Sequence, residues 1–334
     1  MNSKTLVLLV FFLSLFTSAL KAAPPSDRPV PEDGGPTKIY CTLAILDIDQ
    51  INDVEQSFAA NFYLVCKWKD PREAHGQSTT IVKSPDEIWH PQLIILNRQL
   101  VWPAFSETVE ISPEGEVMYR QNYWGDFSQP LDLYDFPLDR QTFEIKVVES
   151  GSSPEGDIEI LQNPEWPSFL ADDFSITSWK ILGSKISTAT HVLPTGENLP
   201  AISMLVTAKR QLTHYVMKII APLLMILSLS WVVFWLDPKE GGSQLGVAVT
   251  TCLTVIAFHM SLTAELPKIQ YLTRLDVFVF GATLMVFLAM IEVVVTTQLA
   301  RTGKEASALK LDRISRVVFP SMLALVLLYA FVWR

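Results

Sequence analysis

The chain is poor in cysteine. Only Cys41, Cys66 and Cys252 occur among 334 residues, and no two of them form a Cys-x-x-Cys pair. This spacing excludes a disulfide framework and the common thiolate metal and redox motifs. Isolated cysteines on strands are more often buried apolar side chains than bonded partners. We therefore expect Cys41 and Cys66 to remain unpaired, with a bridge between them as the less favoured alternative.

The sequence also lacks the motifs of common enzymes. It contains no Gly-x-Ser-x-Gly, no His-Glu-x-x-His and no glycine-rich phosphate loop, and it has only five histidines. A nucleophile, a base and an orienting group are therefore not recognisable together. We predict no enzymatic activity, no cofactor and no metal site.

Charge is scarce and unevenly distributed. Charged residues make up 18% of the chain against 49% hydrophobic residues, and the mean hydropathy is +0.27. Residues 24–214 hold 28 acidic and 14 basic residues, a balance of −14, whereas residues 215–334 hold 7 acidic and 10 basic residues, a balance of +3. An acidic surface repels phosphate, so nucleic acid is excluded as a partner, and the apolar content indicates a membrane protein.

The N-terminus has the pattern of a secretory signal. Lys4 precedes a short apolar run from Leu6 to Phe16, and small residues follow it. The run is too short for a transmembrane anchor. We predict a signal peptide at residues 1–22, which places the chain that follows outside the cytoplasm.

Residues 23–212 have the pattern of an all-β domain. Polar and apolar residues alternate from Gln141 to Val147, and turn signals recur at residues 112–115 and 153–156. No long helical period is present. This pattern predicts an extracellular, immunoglobulin-like antiparallel β-sandwich.

Residues 213–334 have the pattern of a membrane domain. Four apolar stretches predict helices at about 215–236, 245–264, 275–299 and 313–333, each close to the length that crosses a bilayer. Residues 301–316 carry five basic residues, as a cytoplasmic loop does. This orientation agrees with the one that the signal peptide gives. We predict a multi-pass protein of the cell (inner) membrane with four helices and an external N-terminal domain.

The loop from Gln129 to Phe143 resembles the signature loop of pentameric ligand-gated ion channels, the Cys-loop receptor family. Its matching residues are Asp132, Phe136, Pro137, Asp139 and Gln141. The cysteines that flank the family's loop are replaced by Gln129 and Phe143, which is the form of bacterial members. Trp68-Lys-Asp70, Trp89-His-Pro91 and the spacing from Arg210 to Pro222 also resemble the family's pattern. The resemblance covers nearly the whole chain after the signal peptide.

The resemblance implies a homopentamer whose second helix lines a central pore. Helical periodicity alone leaves two faces open, one with Thr251, Thr254, Phe258, Ser261 and Glu265 and the other preferred by the family's pattern. The preferred pore-lining residues are Gly246, Thr250, Leu253, Ala257 and Met260. Within this set, Leu253 and Ala257 are the predicted gate, because rings of apolar side chains close a pore by dewetting.

The ion selectivity is expected to depend on Glu240, Gly242, Ser243 and Gln244, which precede the second helix. Five copies of the −14 domain give a vestibule of about −70, which concentrates cations. We predict a channel for monovalent cations. The length of this loop resembles anion-selective members, so an anion channel is the first alternative, and a non-conducting, membrane-anchored β-sandwich receptor is the second.

Coupling between the two domains is predicted from position and resemblance. The predicted coupling residues are Glu55, Asp132, Phe136, Pro137, Asp139, Arg210, Pro267 and Lys268. We expect Glu55 to pair with Lys268 or to lie near Arg210, and we expect Asp132 to pair with Arg210.

The agonist is the least defined feature of the sequence. The segments 148–153 and 191–197 lack the aromatic residues that suit amine ligands, so an amine is disfavoured. The predicted ligand contacts are Phe62, Trp89, Tyr119, Glu149 and His191. The expected partners are membrane lipid and either an unidentified small molecule or protons, since the domain is rich in carboxylates.

Overall fold

The computed structural model describes residues 27–151, 154–265 and 269–333. The predicted signal peptide at residues 1–22 lies outside the described residues. The described chain consists of a β-rich domain followed by helices.

The β-rich domain is a sandwich of two sheets. The first sheet has eight strands, ordered β10-β1-β2-β7-β6-β3, with β5 added at β7 and β9 added at β1. The second sheet has four strands, ordered β11-β12-β8-β4. The strands are β1 Thr37–Asn52, β2 Ser57–Lys69, β3 Ile81–Lys83, β4 Leu93–Ile95, β5 Arg98–Pro103, β6 Val109–Ile111, β7 Glu116–Ser128, β8 Arg140–Glu149, β9 Ile158–Gln162, β10 Phe169–Leu170, β11 Trp179–Val192 and β12 Asn198–Arg210.

Alternating side chains fill the space between the two sheets. Along β2 every second residue is buried, including Phe58, Phe62 and Trp68. The facing strand β8 contributes Phe143, whose ring lies 5.2 Å from that of Phe58. Because side chains alternate between the faces of a strand, one face of each sheet supplies the core and the other is left for water or neighbouring subunits.

The expectation for Cys41 and Cys66 was wrong. These residues are opposite each other in the β1–β2 ladder, with Cα atoms 4.2 Å apart, and they form a disulfide. Both are inside the sandwich core, as expected of buried cysteines. The bridge is distinct from the family's loop bridge, whose positions here hold Gln129 and Phe143.

Four membrane-length helices follow the sandwich. They are α1 (Thr213–Trp235), α2 (Gly241–Glu265), α3 (Arg274–Arg301) and α4 (Glu305–Leu328), which continues to Trp333. Helix α2 begins earlier than the predicted residue 245, because Gly241 already packs on Thr297 of α3. Helix α4 begins at Glu305 rather than near residue 313, because its first two turns are amphipathic and polar rather than apolar.

The helices pack as a bundle with α3 at its centre. Helix α3 contacts α1, α2 and α4, and it contributes a row of buried residues that includes Phe278, Met285 and Val293. Its N-terminus is fixed by a capping box, in which Thr273 and Asp276 satisfy each other's backbone N–H groups. This arrangement leaves long apolar faces of α1, α2 and α4 outside the bundle of a single chain.

Candidate site for gating and conduction

The end of β12 places Arg210 at the joint between the two domains. Its guanidinium is buried and forms two bidentate ion pairs. Asp139, at the start of β8, accepts from Nε at 2.8 Å and Nη2 at 3.1 Å. Asp53, in the β1–β2 turn, accepts from Nη1 at 2.7 Å and Nη2 at 2.8 Å. One cation therefore holds a strand end and a turn together.

The Arg210 guanidinium has no unused donor. Its Nη1 atom also donates to the Tyr215 hydroxyl at 3.0 Å, so all five N–H groups are hydrogen-bonded. The rings of Trp179 and Phe136 lie 4.2 Å and 4.7 Å from its central carbon. Burial lowers the pKa of Arg210, but hydrogen bonds with Asp53 and Asp139 outweigh that effect and raise the pKa above its ordinary value. The group is a permanent cation.

The signature loop joins this ion cluster to the membrane helices. The Phe136 ring packs on Tyr215 of α1, with centroids 4.9 Å apart, and its carbonyl accepts from the Leu275 N–H of α3 at 3.2 Å. Asp135 accepts from Arg274 at 2.7 Å. The Leu133 N–H donates to the Tyr271 hydroxyl at 2.9 Å. These contacts join the signature loop to α1, to the start of α3 and to the segment that precedes α3.

The structure contradicts one predicted coupling contact, that of Asp132 with Arg210, and leaves the Glu55–Lys268 alternative as a prediction. Asp132 does not pair with Arg210; its exposed carboxylate accepts from the Tyr134 N–H at 3.1 Å and stabilises the loop itself. Glu55 is exposed, and Asp53 of the same turn takes the position near Arg210.

Some of the other predicted coupling residues are described by the structure and some are not. Pro137 is buried beside Phe136, and Gln141 fixes Asp139 by donating to its carboxylate at 2.8 Å. Pro267 and Lys268 lie outside the described residues, so a Glu55–Lys268 pair stays a prediction.

Helix α2 leaves one continuous face uncovered in the single chain. The face holds the predicted pore residues Gly246, Thr250, Leu253, Ala257 and Met260, all of them exposed. The opposite face, with Ala248, Thr251 and Val255, is buried against α1 and α3. Of the alternative set, Thr251 is buried and Phe258 is half-buried, whereas Thr254 and Ser261 are exposed. The preferred set therefore lies where a neighbouring subunit or a pore can reach it.

The predicted selectivity residues at the inner end of α2 differ in their exposure. Gly242 and Ser243 are exposed, whereas Gln244 is fully buried and donates to the carbonyls of Val233 of α1 and of Leu236, which follows α1, at 3.1 Å and 3.0 Å. Gln244 therefore anchors the helix start and does not face ions, contrary to the prediction.

Two charges remain at this end of α2. The Lys239 ammonium is paired with Glu305 of α4 at 2.8 Å, which turns this positive charge toward α4. Glu240 is exposed, and among the described residues it has no ion pair. The exposed charge beside the start of α2 is thus negative.

The predicted ligand residues are dispersed. Phe62 is fully buried and packs on Tyr123 and Phe127, so its prediction as a ligand contact is wrong. Its inward position could have been found from alternation along β2, since Phe62 is in phase with Phe58 and Trp68. Trp89 is also buried and packs edge-on against Trp68, with centroids 6.1 Å apart.

Glu149 lines a cavity of about 330 Å³ between the β8–β9 connection and the β11–β12 hairpin loop. One wall is formed by residues 149–151 and 154–158, and the other by residues 193 and 197–200. Glu155 and Glu197 add two more carboxylates, and no aromatic ring lines the cavity among the described residues. His191 is half-buried on the adjoining strand β11, outside this lining.

The Glu149 carboxylate is buried without a cation. Its Oε1 atom accepts from the N–H groups of Gly151 at 2.9 Å and Gln92 at 3.2 Å. Burial raises the pKa of Glu149 above its ordinary value, and these two hydrogen bonds only partly oppose the shift. A Cβ at position 151 would come within 2.5 Å of the same oxygen, so glycine permits the contact.

Tyr119 is in a second, smaller cavity of about 140 Å³ inside the sandwich, together with Trp68, Tyr123 and Glu107. The two tyrosine hydroxyls lie 3.0 Å apart. Burial raises the pKa of Tyr119 above its ordinary value, and Tyr123 adds to the shift. These phenols stay neutral, so they can offer hydrogen bonds but no charge.

A β-sandwich whose signature loop rests on four membrane helices defines a class of protein, the ligand-gated ion-channel subunit. Residues 14–193 match the family model described as "Neurotransmitter-gated ion-channel ligand binding domain". Residues 219–310 match the one described as "Neurotransmitter-gated ion-channel transmembrane region". The chain belongs to the neurotransmitter-gated ion-channel family, whose members are membrane channels and not enzymes.

Two relatives illustrate the breadth of this family. The chain is 28% identical to the "Proton-gated ion channel" of Gloeobacter violaceus over 299 residues, which cover 87% of this chain and 82% of the relative. It is 25% identical to the "Gamma-aminobutyric acid receptor subunit beta-4" of Gallus gallus over 267 residues, which cover 78% of this chain and 54% of the relative. The chain thus spans about half the length of the receptor subunit.

Proposed function

We propose that the chain forms a homopentameric, cation-selective channel that opens when the extracellular domain is acidified. The observation that carries the conducting role is the uncovered face of α2. A helix rich in Thr, Ser and Gly is costly in lipid, so its small and polar residues face protein or water. Five copies of this face enclose a pore in which Leu253 is the narrow apolar ring and Thr250 a polar ring.

The cation preference rests on the charges at the two ends of the pore. At the inner end, Lys239 is turned toward Glu305, which leaves Glu240 as the exposed charge beside the start of α2. At the outer end, the domain's balance of −14 per subunit raises the local concentration of cations.

Acid activation rests on the cleft around Glu149. Three carboxylates line it, none of the described lining residues is aromatic, and burial already raises the pKa of Glu149. The Gloeobacter relative is named as a proton-gated channel. Protons shift a closed–open equilibrium when the two states bind them with different affinity. Carboxyl groups that line one cleft provide such a difference when its two loops shift on opening.

The test is voltage-clamp recording from the expressed full chain during steps from pH 8 to pH 4 with sodium and chloride gradients. We expect an inward current on acidification that reverses near the sodium potential. Glu240→Gln should move the reversal potential toward that of chloride, whereas the control Glu240→Asp, which retains the charge, should not. Reversal at the chloride potential in the wild type would contradict cation selectivity.

The pH steps also decide the nature of the agonist. Silence at every pH, with surface expression confirmed, would contradict proton activation and would favour a small molecule in the Glu149 cleft. A wild type that is silent at every pH, together with a variant that conducts once Leu253 is made polar, would mean that the agonist is wrong and the channel assignment is right.

A further inference from the structure

Two carboxyl groups meet inside the membrane bundle, away from the pore face and the ligand cleft. Glu292 of α3 and Asp312 of α4 are buried, with 8% and 1% of their surface exposed. Ser315, about one turn after Asp312 on α4, hydrogen-bonds to Glu292, so the two carboxyl groups lie within about one helical turn of each other. They lie about two turns from the cytoplasmic ends of their helices, roughly 10–14 Å along the axes at 1.5 Å per residue.

The pair accepts a single hydrogen bond from another side chain among the described residues. The Ser315 hydroxyl donates to Glu292 Oε1 at 3.2 Å. No N–H or O–H group of the described residues donates to Glu292 Oε2 or to either oxygen of Asp312. A buried carboxylate without a donor or a cation is costly, and two adjacent carboxylates cannot both be ionised cheaply. The geometry therefore requires a proton between them.

The nearby charged groups do not replace this proton. Arg316 lies one turn after Asp312 on α4 and attracts the Asp312 carboxyl group electrostatically. However, its Nε and Nη2 atoms donate to the Phe234 carbonyl of α1 at 3.0 Å and 2.7 Å. Its guanidinium also lies over Trp235 at 5.2 Å. Lys239, in the turn before α2, is exposed and paired with Glu305.

Helix α2 adds no charge to this region. Within the described part of its inner end, the buried side chains Gln244 and Thr251 are neutral. On α3 itself, the neighbouring Thr296 hydroxyl donates to the backbone of its own helix and not to the pair. The two carboxyl groups are therefore each other's principal partner.

We propose that Glu292 and Asp312 form a proton-binding site that makes the channel sensitive to cytoplasmic pH. One proton is held between the two carboxyl groups, on Glu292 Oε2, because Ser315 already donates to Oε1. Glu292 then donates to Asp312, and α3 and α4 are joined by a charge-assisted hydrogen bond.

Loss of this proton has a direct mechanical consequence. It places two negative charges against each other in a buried contact, and the contact opens or unfolds locally. Helix α4 responds first, because only 17% of its most apolar 18-residue segment is buried within the chain, against 44% for the corresponding segment of α3. The proton comes from the cytoplasm, which is the side nearer to the pair, so the site is independent of the external agonist.

The experiment measures stability and protonation of the purified full-length channel in nanodiscs, without any agonist. Ionising the pair leaves two buried carboxylates together without donors, so we expect wild-type stability to fall as the pH rises from 6 to 9. In Asp312→Asn and Glu292→Gln we expect that fall to be smaller by about 2–4 °C, because a neutral amide cannot lose a proton. Glu305→Gln, which removes an exposed carboxylate of α4, is the matched control and should follow the wild type.

Infrared spectroscopy reports the proton directly. A protonated carboxyl group has a carbonyl band that an ionised carboxylate lacks. We expect this band in the wild type at pH 7, unchanged in Glu305→Gln and weaker in Glu292→Gln by the contribution of the pair. An identical spectrum and the same pH-dependent loss of stability in wild type and both amide variants would overturn the proposal. Either amide variant alone suffices for the comparison if the other does not assemble.

Discussion

The extracellular sandwich and the membrane bundle solve the problem of burial in different ways. The sandwich buries its large aromatic side chains within one chain, between its two sheets. The four membrane helices leave most of their apolar surface outside, with only 17–44% of their most apolar windows buried. One domain is therefore complete as a single chain, whereas the other requires lipid and neighbouring subunits.

The same contrast holds for buried charge. At the base of the sandwich, Arg210 is surrounded by two carboxylates and uses every donor. Within the bundle, Glu292 and Asp312 meet without a cation of their own. A buried charge in the sandwich is thus fixed in place by full compensation, while one in the bundle depends on a mobile proton. We propose rigid coupling for the first arrangement and sensitivity to cytoplasmic pH for the second.

The largest effect is expected when the joint between the two regions is broken. Arg210→Ala leaves the buried Asp139 and the partly buried Asp53 without their cation, and removing one partner of a buried pair costs about 3–5 kcal/mol. We expect loss of assembly or, where the channel reaches the surface, loss of gated current. Surface labelling and current recording in the same cells measure the two outcomes separately.

Arg210→Lys sharpens this test. Lysine keeps the positive charge but cannot form two bidentate pairs, so we expect partial assembly with impaired gating. The control Arg140→Ala, which removes an exposed arginine near Asp139, should behave as the wild type. Normal currents from Arg210→Ala would show that the joint does not depend on this cation.

The next effect tests which uncovered face of the bundle meets water. Leu253 of α2 and Leu325 of α4 are equally exposed in the single chain, at 62% and 64%. Leu253→Thr should produce a standing current without agonist, because a polar ring rehydrates a dewetted constriction. Leu325→Thr, the same change on α4, should produce no agonist-independent current. Equal leak from both variants, measured as agonist-independent conductance, would contradict the assignment of the α2 face to the pore.

Much of the architecture could be predicted because it follows from repeating patterns. Runs of apolar residues give the helices, and alternation gives the strands. The signature loop was found because Phe136, Pro137 and Asp139 stand at fixed spacings. These are local properties, so one sequence is sufficient to read them.

Pairings between distant segments could not be read in the same way. Asp53 and Glu55 are both acidic residues of one turn, and which of them reaches Arg210 depends on the backbone of that turn, where Gln56 has φ of 53°. The Cys41–Cys66 bridge depends on the register of β1 against β2, which has irregularities of its own. Glu292 and Asp312 are near each other only because α3 and α4 pack at one particular rotation.

The smallest effect concerns Glu149, the exception within the sandwich, since it is buried there without a cation. Its raised pKa means that the folded domain loses stability as the pH rises above the ordinary carboxyl range, because ionisation then costs more in the folded state than in the unfolded one. Glu149→Gln retains a carbonyl oxygen in place of Oε1, the only atom that accepts from Gly151 and Gln92. The variant should therefore be more stable than the wild type at pH 8, by about 2–4 °C for a gain of the order of 1 kcal/mol, with no difference at pH 4.

Thermal unfolding of the full chain measures this difference, and Glu197→Gln, an exposed carboxylate of the same cavity, is the control. A gain that persists at pH 4 would mean that packing rather than ionisation sets the cost of burying this side chain.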